Sequence, residues 1–163
     1  MLQLKASNNG KIIPARVIYR DGDNWLNYVI IDKGSKDNVR ILKPVITNSG
    51  LIGRVIYVDG RFSKVMLLTD SEFTAACRVY KKNISGIVYG NGEDKLIMKY
   101  IDSGSDIQIN DMIITSGISK VFPDGLKVGK VVKVIGEGKD MFKKAVVEPY
   151  SSVNYIDYVW YFI

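Results

Sequence analysis

The sequence has no histidine among its 163 residues. That removes the commonest general base near neutral pH and the commonest zinc ligand. A Ser-His-Asp triad is therefore impossible. A serine nucleophile would need a lysine base instead, and the chain contains neither Ser-x-x-Lys nor Lys-Thr-Gly. Ser116 and Lys120 share a loop, but loop spacing alone does not make a dyad. The one cysteine, Cys77, excludes an internal disulfide and any cysteine-rich metal site. Its setting, Ala75-Ala76-Cys77-Arg78-Val79, suits a small buried hydrophobe. No apolar run approaches the roughly 18 to 20 residues that cross a bilayer. The start, Met1 to Lys5, is too short and polar for a signal peptide. No stretch holds an i, i+3, i+4 apolar pattern over three turns, so helix is nearly absent; at most one helical turn is expected near Ser119 to Phe122.

What is present reads as β-structure. Hydrophobic residues make up 47% of the chain and charged residues 25%, the balance of a folded globular protein. Short runs rich in Val, Ile and Tyr alternate with turn residues, and about twelve strands are expected by this criterion. Examples are Ala15 to Arg20, Asn27 to Asp32, Leu51 to Asp59, Lys64 to Leu68, Ile84 to Gly90, Lys95 to Ile101, Lys127 to Ile135, Lys144 to Pro149 and Tyr155 to Ile163. Connections this short force mostly antiparallel pairing, because a parallel crossover needs a dozen or more residues. The fold class is all-β, as barrels or sandwiches.

The chain also repeats itself loosely. Val45-Ile46-Thr47-Asn48-Ser49-Gly50 runs into Leu51-Ile52-Gly53-Arg54-Val55. Ile113-Ile114-Thr115-Ser116-Gly117 leads, after an insertion, to Gly125-Leu126-Lys127-Val128-Gly129-Lys130-Val131. Two small antiparallel six-stranded, barrel-like subdomains follow. Residues 12–72 form the first and residues 73–163 the second, with the last strand free to pack back on the first. Gly50 and Gly117 are expected to be structural turns, through positive φ or close packing.

Binding sites of the usual kinds are not expected. Asp102, Asp106 and Asp111 could pair for acid–base work or calcium, but they sit in a polar turn without EF-hand spacing. The Gly-x-Gly pairs at Gly90 to Gly92 and Gly136 to Gly138 read as hairpin turns rather than a nucleotide loop. No cofactor and no metal is expected. The net charge of +6 is scattered, with short doublets at Lys81-Lys82 and Lys143-Lys144. A nucleic-acid binder would concentrate it with aromatics on one element, so no nucleic-acid partner is expected.

An ordered set of short segments resembles a known family. It comprises Asp32-Lys33-Gly34-Ser35, Gly50 to Val55, Ser63 to Asp70, Ser85 to Gly92, Asp111 to Gly117, Phe122-Pro123-Asp124-Gly125 and Val128-Gly129-Lys130-Val131. Together they resemble the extracytoplasmic β-domain of the rod shape-determining MreC family, from about Ala15 to the C-terminus. The resemblance implies a cytoplasmic tail, one membrane helix and a coiled coil ahead of the β-domain, with residues 1–11 as the end of that coiled coil and a linker. It implies an extracytoplasmic, membrane-anchored, non-catalytic scaffold of the cell-elongation machinery. The implied partners are a class B penicillin-binding transpeptidase, MreD, the actin-like MreB system and further copies of itself. Asn38 and Asn110 stand where the family pattern usually has glycine, and asparagine is the residue that best tolerates positive φ there.

The residues also nominate contact surfaces. Tyr158 to Ile163 is an unbroken apolar run, whereas a half-exposed strand should alternate. It is either buried on both faces or shows aromatic surface to a partner, which makes Tyr158, Trp160 and Phe162 contact candidates. Trp25 and Tyr28 form a second candidate patch. A module binding polyanions or glycans through its positive charge and surface aromatics is the competing reading. With no triad and no Ser-Lys motif, an activated phosphonate or a β-lactam should leave every serine unlabelled; covalent labelling that Ser116→Ala abolishes would overturn the non-catalytic reading.

Overall fold

In–out alternation gives strands such as Ser63–Leu67 one face toward a core and one toward solvent. The computed structural model describes residues 11–20, 27–136, 141–152, 154 and 156–163. Among them are twelve strands. They are β1 (Ile12–Arg20), β2 (Tyr28–Ile31), β3 (Pro44–Thr47), β4 (Gly50–Val58), β5 (Ser63–Leu67) and β6 (Thr74–Val79), followed by β7 (Ser85–Gly90), β8 (Leu96–Asp102), β9 (Met112–Thr115), β10 (Lys127–Ile135), β11 (Phe142–Pro149) and β12 (Tyr158–Phe162). In β5, Ser63, Val65 and Leu67 are buried while Lys64 and Met66 are not. That period of two puts one face in a core and one in solvent.

The strands close into two antiparallel barrels. The first has the order β1-β12-β3-β4-β5-β2 and the second β10-β11-β8-β7-β6-β9. The first unit is Met1–Leu68 with Ser151–Ile163, and the second is Thr69–Tyr150. The C-terminal strand thus lies in the first barrel, between β1 and β3. Val29, Ile31, Val45, Val55, Val65, Val159 and Tyr161 share the first core. Leu96, Met98, Ile101, Ile113, Val131 and Val147 are among the buried residues of the second unit. Cys77 is fully buried, and burial pushes its thiol far above the ordinary range, so it packs as an apolar group.

The two barrels share one topology. Matching β12, β1, β2, β3, β4 and β5 to β6, β7, β8, β9, β10 and β11 reproduces every strand neighbour. The first barrel is therefore a circular permutation of the second, with the equivalent of β6 moved to the end of the chain. Local irregularities match too. The β3–β4 pairing slips where Ile52 is the extra residue, and the β9–β10 pairing slips at Val128. A second slip falls at Ile56 between β4 and β5 and at Val132 between β10 and β11. These bulges give tight barrels the bend that flat strands lack.

The residues of the internal repeat explain why it reads as it does. Gly53 and Gly129 occupy matched positions. A Cβ on Gly53 would lie 1.9 Å from the Met66 carbonyl oxygen, and one on Gly129 would lie 2.2 Å from that of Glu148. The two threonines are matched as well. The buried Thr47 hydroxyl contacts Ser151 Oγ at 2.7 Å and accepts from Ser49 N. Thr115 Oγ1 donates to the Pro123 carbonyl and accepts from Leu126 N at 2.9 Å. Each satisfies backbone groups at the mouth of a β-connection that the barrel hides from water.

The four expected turn residues are among those with positive φ: Gly50 (φ 143°), Gly117 (71°), Asn38 (62°) and Asn110 (75°). Asn38 closes the 3-10 turn Ser35–Asp37, whose Asp37 carboxylate accepts from Gly34 N at 3.1 Å. The expected turn near Ser119 to Phe122 is not helical; Pro123 disfavours helix in the residue before it, and Phe122 is buried against Phe73 at 5.9 Å between ring centroids.

Close approach at the matched glycines should be costly to relieve. Gly53→Ala and Gly129→Ala are each expected to lower stability by about 1–3 kcal/mol in urea unfolding, because the Cβ meets backbone. Gly60→Ala, where a Cβ would meet only a Lys36 methylene at 3.8 Å, should lie within about 0.5 kcal/mol of wild type.

Candidate partner-binding surfaces

The β12 strand keeps an alternating face despite its apolar composition. Val159 and Tyr161 point into the first barrel and are buried, Tyr158 is exposed and Trp160 is half-buried. Phe162 is buried, which corrects its reading as a contact residue: it sits opposite Ile12 at the end of the barrel strand. The buried phenol of Tyr161 has a partner, donating to the Asp37 carbonyl oxygen at 2.8 Å. A buried hydroxyl without one would cost more than the bond returns. Burial, and then the charges of Asp37 and Asp32, hold this phenol above its ordinary pKa.

Tyr28 belongs to a larger surface on the same barrel, while Trp25 lies outside the described residues. Across β1, β2, β5 and β4 the register aligns Tyr19, Ile30, Lys64 and Tyr57 in one outward row. A second row aligns Tyr28, Met66, Arg54 and Pro44. The Tyr19 and Tyr28 rings stack with centroids 6.1 Å apart and planes at 24°. Lys64 Nζ sits 3.8 Å above the Tyr28 ring, a cation–π contact that pins the ammonium on the face. Phe62 packs on Tyr57 at 6.2 Å. Tyr19, Tyr57 and Phe62 are exposed, and neither row contains an acidic residue. Sequence reasoning found Tyr28 and missed Tyr19, Tyr57, Phe62 and Lys64. Alternation marks each as outward, but only the strand pairing makes them neighbours.

The second barrel carries an aromatic cluster that the sequence did not single out. Tyr100 and Phe142 meet edge to face at 5.9 Å, and Lys99 Nζ lies 4.8 Å from the Tyr89 ring. Tyr89 occupies the position matched to Tyr19, each opposite an isoleucine of the next strand.

The acidic loop of that barrel is structural. Asp102 Oδ1 accepts from Gly104 N, Asp106 Oδ1 from Gln108 Nε2, and Asp111 Oδ2 from Gln108 N and Lys82 Nζ. Among the described residues no group of three or more His, Cys, Asp or Glu side chains could hold a metal ion. Ser116 Oγ accepts from Ile118 N.

With this geometry in place, comparison with known proteins is decisive. The model of the family "Rod shape-determining protein MreC, barrel core" matches residues 17–162, which spans both barrels. The chain belongs to the MreC family. MreC of Escherichia coli K12 is 34% identical over 120 residues, covering 73% of this chain and 33% of that protein. MreC of Bacillus subtilis 168 is 32% identical over 163 residues, covering 93% of this chain and 56% of that protein. The chain thus spans between a third and just over half of these cell shape-determining relatives. A solved MreC structure superposes with a TM-score of 0.90 at 29% identity, covering 96% of this chain and 89% of that one. MreC from Pseudomonas aeruginosa superposes at 0.86 with 30% identity, covering 93% and 98%. The MreC in a complex of penicillin-binding protein 2 and MreC from Helicobacter pylori shares the fold, at 18% identity and a TM-score of 0.75 over 94% of this chain and 98% of that one.

The Tyr161 phenol offers a pH-dependent check on the β12 anchor. Tyr161→Phe should cost about 1 kcal/mol at neutral pH. The wild-type phenol holds its proton longer when folded than when unfolded, so its contribution is complete below the unfolded value of about 10 and fades as pH rises past it. The stability gap between wild type and variant should narrow accordingly above about pH 10 in unfolding titrations.

Proposed function

We propose that this chain is the extracytoplasmic part of a non-catalytic scaffold that maintains rod shape by holding peptidoglycan synthases in the elongation machinery. The family match over both barrels carries this reading. A complex between penicillin-binding protein 2 and an MreC is known from Helicobacter pylori, which supports a class B transpeptidase as partner. A related solved structure is described as the major periplasmic domain of the cell shape-determining filament MreC, which supports self-association and a place outside the inner membrane. In the full-length protein the anchor is an N-terminal membrane helix, and MreD and the MreB system are the further partners. Short, exposed aromatic faces on rigid barrels suit such a role, since Tyr, Trp and Arg dominate the energetics of protein contacts.

The test is capture of solubilised envelope proteins by the immobilised chain, followed by identification of what is retained. A class B transpeptidase should be among them. Trp160→Ser and Trp25→Ser, each checked for folding by circular dichroism, separate the two tryptophan patches. At least one should weaken transpeptidase binding or self-association by about tenfold. Two folded variants that bind like the parent exclude both patches as the contact.

A further inference from the structure

The positive charge of the chain is not shared between the barrels. The unit formed by residues 1–68 and 151–163 has 11 Lys and Arg against 6 Asp and Glu, whereas residues 69–150 have 12 against 11. Nearly all of the net +6 therefore resides in the first unit. Three of its six carboxylates are held internally: Asp32 accepts from Arg16 N, Asp37 from Gly34 N, and Asp157 from Arg20 Nη2. On this same barrel lies the face of β1, β2, β5 and β4, where Lys64 and Arg54 stand among Tyr19, Tyr28 and Tyr57 with no acid in either row. Tyr19 with Tyr28, and Tyr57 with Phe62, form two pairs of rings flanking the Lys64 position.

We propose that the outward face of β1-β2-β5-β4 binds a carboxylated glycan strand, with Tyr19 and Tyr57 as stacking platforms and Lys64 as the carboxylate partner. Sugar rings carry a C–H face that packs on aromatic rings, and an outer barrel wall admits a chain from the side. Adjacent strands are about 4.8 Å apart, so Tyr19 and Tyr57, three strands from each other, are separated by roughly 14 Å along the curved barrel wall. That span holds two to three sugar units, with Lys64 midway where an anionic substituent would fall. The cation–π contact holds the ammonium in place before the ligand arrives, which lowers the ordering cost of binding. The exposed residues of the face are Tyr19, Tyr57 and Phe62, while Lys64, Ile30 and Met66 are half-buried. This inference stands on the face and its charge, independently of the scaffold reading.

The experiment titrates the chain with three soluble probes, following tyrosine fluorescence and amide shifts: oligogalacturonate, neutral chitooligosaccharide and poly-glutamate. Oligogalacturonate should bind saturably, shift amides of β1, β2, β4 and β5, and lose about tenfold in affinity between 50 and 200 mM salt. Chitooligosaccharide should bind the same strands roughly tenfold more weakly, having the sugar face without the charge. Lys64→Glu and Tyr57→Ser should each weaken oligogalacturonate about tenfold, while Tyr100→Ser on the second barrel leaves it unchanged. Circular dichroism establishes that each variant is folded, and Tyr19→Ser replaces any that is not. Poly-glutamate binding as tightly as oligogalacturonate, with no effect of Tyr57→Ser, would mean charge alone and overturn the proposal. So would the absence of saturable oligogalacturonate binding, or shifts confined to the second barrel. Complete displacement of the glycan by a purified transpeptidase ectodomain, with Tyr57→Ser weakening the protein and not the glycan, assigns the face to protein contact instead.

Discussion

Closure of the first barrel depends on a strand that the chain supplies last. Without β12, the edges of β1 and β3 would stand open as rows of unpaired N–H and C=O groups. Trp160 pairs across to both Pro14 and Ile46, so one short segment satisfies two edges at once. The segment is apolar because its inward residues fill the core, and Tyr161 adds a hydrogen bond to the Asp37 carbonyl beside the left-handed Asn38. All of these contacts span more than 100 residues of chain. Loop-closure entropy is spent before they form, so the first barrel is intrinsically the slower to complete. The second barrel uses six consecutive strands and has no such dependence.

The permuted topology ties this constraint to the internal repeat. Both barrels solve the same closure problem with the same parts: a bulge after the threonine strand, a glycine beneath a neighbouring carbonyl, and a second bulge three residues beyond that glycine. Six strands enclose little volume, so a side chain at Gly53 or Gly129 would push one wall off its neighbour. The second unit is inserted between β5 and β12 of the first, an arrangement that needs only that the barrel's edges at that point be joined through a longer connection.

What distinguishes the barrels is the outer surface. Matched positions carry Tyr19 and Tyr89, Lys64 and Val146, Tyr57 and Lys133. The core face is constrained by volume and keeps its pattern, whereas the outer face is free to specialise. The first unit carries nearly all of the net charge and sets tyrosines around Lys64 on its outer wall, and the second has kept acid and base nearly balanced around an aromatic cluster.

By itself the sequence determined the all-β class, the twelve strands and the doubled six-strand plan, because period-two alternation, short connections and repeated glycines are local properties. The lack of histidine closed off triad chemistry without any coordinates. The ordered motifs from Asp32 to Val131 were enough to indicate the family. Tertiary structure decided what touches what. Alternation says that Tyr28 and Lys64 each face outward; it does not say that the ammonium rests on the ring, since that depends on β2 and β5 being paired in register. The apolar run at Tyr158 to Ile163 left both burial and exposure open. Insertion between β1 and β3 resolved it by sending Val159 and Tyr161 inward, covering Phe162 and leaving Tyr158 and part of Trp160 on the outside. A local pattern assigns a residue to a face, and only the closed barrel assigns it neighbours.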